Sequence, residues 1–340
     1  MTNLSDGEAA AAGESSRVGN FGYGAARKVI AVEEHFMHPS LSDHFGGAAH
    51  QPPRLLKRLY DYAEIRIREM DAAGIDMQVL SHQSPGSQRL SEDVAVSACR
   101  SVNDALAGIV SEQPDRFRGF AMIPTMHPLA AADELKRSVE ELGLKGAMIH
   151  GLSRGKFVDD ASFWPIFAQA ESLSVPIYLH PALPDRSVVE RYYAPYDQIQ
   201  PDFIRAAWGF GVEAGTQAVR LVLSGIFKKH PELKILLGHL GEAIPFLLPR
   251  IDEALDRQGN VPTGFSDVFR KNFWVTTSGF FSDAALRCCL DTLAPGRILF
   301  AVDWPYADNK HGADWLRTID IDDETKEAIF SRNAESLLKI

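Results

Sequence analysis

From residue 28 onward, short apolar runs rich in β-branched residues alternate with longer segments whose apolar residues recur at i, i+3 and i+4. That βα repetition calls for a parallel sheet. Eight runs stand out: KVIAVEE (28–34), MQVLS (77–81), GFAMIP (119–124), GAMIH (146–150), PIYLH (176–180), KILLGH (234–239), FWVTTS (273–278) and RILFAVD (297–303). Each is followed by a helical pattern. Eight strands with a helix after each, and no linker or shift in composition between them, favour a closed (β/α)8 TIM barrel over an open doubly wound sheet. One domain over 28–340 accounts for the pattern, and the Ala-, Gly- and Ser-rich residues 1–27 read as a disordered tail.

Helix punctuation supports the alternation. The segment 55–73 carries apolar residues at helical spacing and stops at Gly74, and 91–112 opens with SEDV, a Ser cap followed by acids. The two longest non-periodic stretches, 35–53 and 181–200, follow the first and fifth runs. Both fall at the C-terminal face, where barrels build their active sites.

Composition narrows the function classes. Hydrophobic residues make up 45% and charged residues 24%, an ordinary globular balance. A formal charge of -10 without a basic cluster argues against nucleic acid as a partner. Cys99, Cys288 and Cys289 offer neither a disulfide framework nor a spaced thiolate site, which fits a reducing cytoplasm. No signal-peptide pattern and no run of 18 apolar residues is present, so no membrane association is expected.

The chemistry gathers at strand ends. In Glu33-Glu34-His35, residues i and i+2 project to one face roughly 6.6 Å apart, so Glu33 and His35 can converge on one ion while Glu34 points away. The fifth run ends in His180, the sixth in His239 and the eighth in Asp303. For any one histidine the plain alternative is a buried, hydrogen-bonded core residue, and for Asp303 a turn before Pro305. Four strand ends agreeing on one face of a barrel favour a shared site.

ExH on the first run, HP after the fifth, GHxGE after the sixth and DWP after the eighth resemble the amidohydrolase-2 group of the amidohydrolase superfamily. EEHF (33–36), GHLGEAIPFLLPRID (238–252) and DWPY (303–306) are most similar to its hydroxybenzoate decarboxylases, a branch related to the aminocarboxymuconate-semialdehyde decarboxylases. The likeness covers residues 28–340. It implies Glu33, His35, His180 and Asp303 as ligands of one divalent ion, Zn2+ or Mn2+, with His239 and Glu242 working on the substrate. Binuclear relatives open with HxH and use a lysine at the end of strand 4. Here Glu33 replaces the first His and the fourth run ends in His150-Gly151, while Lys145 precedes that run. The same resemblance makes Trp208, Phe210 and Arg250 candidates for substrate binding; His150 is a further candidate by its strand-end position, where the relatives often carry Asn, and Tyr192, Tyr193 and Tyr196, in the loop after the fifth run, are candidates for a lid. The remaining histidines, among them His50 and His82, read as structural or exposed.

The activity implied is nonoxidative decarboxylation of an aromatic acid bearing an ortho hydroxyl, with Asp303 delivering the proton and His239 polarising the phenol. A hydrolase or hydratase using a metal-bound water and His239 as base remains the alternative. A barrel used only for binding is hard to reconcile with an intact ligand set. A homodimer or homotetramer is expected.

Overall fold

The structure, a computed structural model, describes residues 28–44, 52–257 and 264–340. The expected tail, 1–27, and His50 lie outside them. Among the described residues nine short strands pair in chain order and all in parallel: β1 (Ile30–Phe36), β2 (Met77–His82), β3 (Phe117–Gly119), β4 (Ala121–Met122), β5 (Ala147–His150), β6 (Pro176–His180), β7 (Lys234–Leu237), β8 (Phe273–Thr276) and β9 (Ile298–Leu299). β3 and β4 are two halves of one stave. Phe120 between them donates its N–H to Leu80 O (2.8 Å), and Ala121 donates to Gly146 O (2.8 Å). The last strand meets the first through Val32 N–H to Phe300 O (3.1 Å), Asp303 N–H to Glu33 O (2.9 Å) and His35 N–H to Trp304 O (2.7 Å). The result is the (β/α)8 barrel that the eight runs predict.

Strand parity explains what fills the interior. Ile30, Val32, Met77, Val79, Phe120, Met148, Tyr178, Leu236, Leu299 and Ala301 form one buried cluster, closed at the strands' N-terminal end by Leu337 and Leu338. Continuing each alternation toward the C-terminal face brings Ser81, His150, His180, Ser278 and Asp303 inward. On β1 the same parity would bring in Glu34 and leave Glu33 outside. A one-residue slip in the pairing with β2, between Ala31 and Glu34, reverses it. This bulge re-aims Glu33 and His35 into the barrel, a common use of bulges beside active sites.

Two features differ from the sequence expectation. The segment 55–73 is two helices, Pro53–Leu59 and Glu64–Ala73, because Asp61 Oδ1 accepts the N–H groups of Ile65 (2.9 Å) and Arg66 (3.1 Å) and starts a second helix. It still ends on Gly74, at φ 64°. Ser91 occupies the cap position of the helix Glu92–Glu112, but its side chain accepts no capping bond.

Candidate metal and catalytic site

Glu33, His35, His180 and Asp303 bring one donor atom each to within 4.8 Å of one another. His35 Nε2 lies 3.2 Å from Asp303 Oδ1 and 3.9 Å from Glu33 Oε1, and His180 Nε2 lies 3.3 Å from Glu33 Oε1. Glu33 Oε1 and His35 Nε2 are buried and carry no hydrogen bond of normal geometry among the described residues. Leaving such groups unpaired is expensive, and a cation at their point of convergence satisfies them together. Burial acts to raise the Glu33 pKa, but the His239, His180 and His35 rings outweigh it and hold the carboxyl well below its usual range. Burial also opposes ionisation of Asp303, and there the His239 and His35 rings again prevail.

The atoms not aimed at the centre are engaged. Glu33 Oε2 accepts from the hydroxyls of Tyr178, Ser278 and Thr276, the last at 3.3 Å. His35 Nδ1 meets Ser81 Oγ at 3.1 Å, and His180 Nδ1 donates to Pro181 O at 2.7 Å. Glu34 faces away from the centre, where its carboxylate accepts from Val302 N–H (2.8 Å) and Trp304 N–H (3.1 Å), the residues on either side of Asp303. These supporting groups were not singled out in the sequence, although parity offered a signal: Tyr178 stands two residues before His180, and Thr276 and Ser278 share a face.

His239 and Asp303 lie beyond their strands, in strained turns. His239, Leu240, Gly241, Glu242 and Ala243 all have positive φ, from 49° to 81°, and Asp303 has φ 71°. Left-handed backbone costs a non-glycine residue roughly 1–2 kcal/mol, and such strain clusters at functional sites. The turn lets Glu242 Oε1 accept from His239 Nδ1 at 2.7 Å, which directs Nε2 toward Asp303 Oδ2 (4.0 Å) and Glu33 Oε1 (3.9 Å). Burial disfavours a charged His239, but Glu242 and Glu33 overcome this and raise its pKa well above the usual value. Its side chain is 25% exposed, against 1% for His35 and 8% for His180, so His239 is the most open of the three rings.

Other sequence candidates fare differently. Trp208 is 59% exposed before the helix Gly209–Leu223, and Arg250 is exposed on the helix Ile244–Asp256. Among the described residues, neither these two nor Phe210 makes a hydrogen bond or ring contact with the four-residue cluster. His150 borders a cavity of about 250 Å3, yet both its ring nitrogens are taken, by His82 O and His180 Nδ1. Tyr193 is core, edge-on to Phe203, whereas Tyr192 and Tyr196 are exposed. Lys145 Nζ reaches Lys339 O (3.2 Å), at the opposite end of the barrel from the cluster.

The sequence matches the amidohydrolase family model over residues 34–340, and the chain belongs to that family. Among its curated relatives is a gamma-resorcylate decarboxylase of Polaromonas sp., 37% identical over 325 residues that span 92% of this chain and 98% of the relative. A solved dihydroxybenzoic acid decarboxylase of Polaromonas sp., with bound manganese and the inhibitor 2-nitroresorcinol, superposes with a TM-score of 0.85 at 36% identity, covering 92% of this chain and 97% of that one. The 5-carboxyvanillate decarboxylase of Sphingomonas paucimobilis superposes at 0.86 with 31% identity, covering 92% and 99%.

Proposed function

We propose that this protein is a metal-dependent, nonoxidative decarboxylase of an aromatic acid with a hydroxyl ortho to the carboxylate. The observation that carries the reading is the convergence of Glu33 Oε1 and His35 Nε2, buried and unbonded, with His180 and Asp303 beside the paired His239 and Glu242. Likeness along nearly the whole chain to decarboxylases supports this chemistry over hydrolysis. Glu33, His35, His180 and Asp303 are the residues that would hold one divalent cation, which when bound supplies a Lewis acid for the substrate's carboxylate and hydroxyl oxygens. Two hard carboxylates among the donors, together with the manganese of the solved relative, favour Mn2+ over Zn2+.

The chain's own groups then divide the proton work. Glu242 fixes the His239 ring, whose Nε2–H polarises the substrate hydroxyl. Asp303, held as a carboxylate, takes the hydroxyl proton on Oδ2 and passes it to the ring carbon that carries the carboxylate. The carbon–carbon bond breaks, CO2 leaves, its electron pair restores the aromatic ring, and the product phenolate takes a proton from solvent. A homodimer or homotetramer is part of the same reading, supported by exposed Trp208, Phe246 and Leu247.

Manganese-loaded protein should release CO2 from ortho-hydroxybenzoates and, in D2O, place one deuterium at the vacated carbon. Meta isomers should scarcely react. No CO2 from any ortho-hydroxy acid, with solvent 18O appearing in the product of an ester or lactone, overturns decarboxylation in favour of hydrolysis.

A further inference from the structure

We infer that His150 is a positioning residue that, beside the Pro181 carbonyl, fixes the rotation of the His180 ring and thereby the affinity of the site for its cation; this rests on the metal reading above. The hydrogen bonds fix the direction of every proton in the chain. Pro181 O can only accept, so the His180 Nδ1 that meets it at 2.7 Å carries a hydrogen. His150 Nδ1 lies 3.0 Å from that same Nδ1 and must therefore accept. At its far side His150 Nε2 lies 2.9 Å from His82 O, another pure acceptor, so Nε2 carries the His150 proton. The order His82 O, His150, His180 is thus set from the backbone of β2 inward. It leaves His180 Nε2, 3.3 Å from Glu33 Oε1, as the atom presented to the centre.

The surroundings are built to hold the His150 ring in place. His150 is 2% exposed, its backbone N–H donates to Gln88 Oε1 (3.3 Å), and its ring plane crosses that of His180 at 67° with centroids 4.7 Å apart. Gly86, at φ 56°, leaves the space the ring occupies: a methyl there would stand 2.6 Å from His150 Cδ2. A carbonyl at Pro181 alone would hold the same proton. The second acceptor, from a different strand, also fixes the rotation of the His180 ring, which one bond does not.

The test is Mn2+ affinity by equilibrium dialysis with elemental analysis, on wild type, His150→Phe, His150→Asn and Gly86→Ala. Removing the acceptor in His150→Phe should weaken Mn2+ binding about 10–100-fold, the usual effect of losing a partner behind a ligand. His150→Asn should bind close to wild type, because its Oδ1 can take the place of Nδ1 and accept the same proton. Gly86→Ala, which leaves His150 intact but displaces its ring, should fall between them. If His150→Phe folds and binds like wild type, or if His150→Asn loses as much as His150→Phe, the inference is overturned. Should His150→Phe fail to fold, the order of Asn above Gly86→Ala decides, and the reverse order refutes it. Wild type that takes up no Mn2+ at all overturns the metal reading itself, a distinct result.

Discussion

His180 and His239 both approach Glu33 Oε1, at 3.3 and 3.9 Å, but they are anchored differently. His180 is fastened to a backbone carbonyl and buried, whereas His239 is paired with a carboxylate and partly open. Replacing His180 with Ala should therefore strip both metal and turnover. His239→Ala should keep its metal while kcat falls about 100-fold or more, the usual weight of one acid–base group; loss of metal from His239→Ala would make it a ligand instead. Tyr178→Phe removes one of three hydroxyls on Glu33 Oε2 and should lower Mn2+ affinity about tenfold, with the fold intact by circular dichroism. An unchanged affinity would leave Tyr178 a core residue only. The four donors were legible because each ends or follows an apolar run. The hydroxyls were not, because Tyr, Thr and Ser in a strand carry no mark that distinguishes a carboxylate's partner from an ordinary interior residue; His150 was legible as a strand-end candidate but not as the partner of His180.

The turn from His239 to Ala243 shows what one element contributes. Its run of left-handed residues is held in part by the helix Gly209–Leu223, whose Gly211 comes close enough that a methyl there would sit 3.0 Å from Glu242 Oε2. Gly211→Ala should gain helix propensity, up to about 1 kcal/mol, so its melting temperature should hold or rise. The displaced Glu242 should release His239, and turnover should fall about tenfold or more. A variant fully active and equally stable would show that the pair tolerates the shift. No spacing rule reveals this turn, since four of its five residues are not glycine. The bulge in β1 is equally silent: EEHF reads as plain alternation, which does place Glu33 with His35, but only the pairing with β2 shows that this face is inward. Asp61, by contrast, is a signal present in the sequence, an acid able to cap a new helix inside a continuous periodic pattern.

Across the whole molecule, stability should respond to pH through Glu213. It is 7% exposed, its Oε1 has no hydrogen bond among the described residues, and burial, with Asp185 nearby, lifts its pKa from 4.5 to about 7. The folded state then binds the proton more tightly than the unfolded state. The stability this confers is full below pH 4.5 and is lost as pH rises through about 7. Glu213→Gln should flatten that part of the curve and be the more stable protein at pH 8, by urea denaturation at pH 5, 6.5 and 8; an identical slope in both proteins would rule Glu213 out. The barrel itself was legible from eight repeats, each with its own local signal. The contacts that close it were not, among them Glu34 accepting from Trp304, 270 residues further along the chain. Closing so long a loop costs entropy that grows only with the logarithm of its length, so the distance is thermodynamically mild. Its effect falls on timing. During synthesis Glu33, His35 and His180 all precede Asp303, so in the proposed site three of the four donors wait for the fourth until the chain has passed β9. On the proposed reading the full donor set forms only when both edges of the barrel have met, so a loaded site would report that closure.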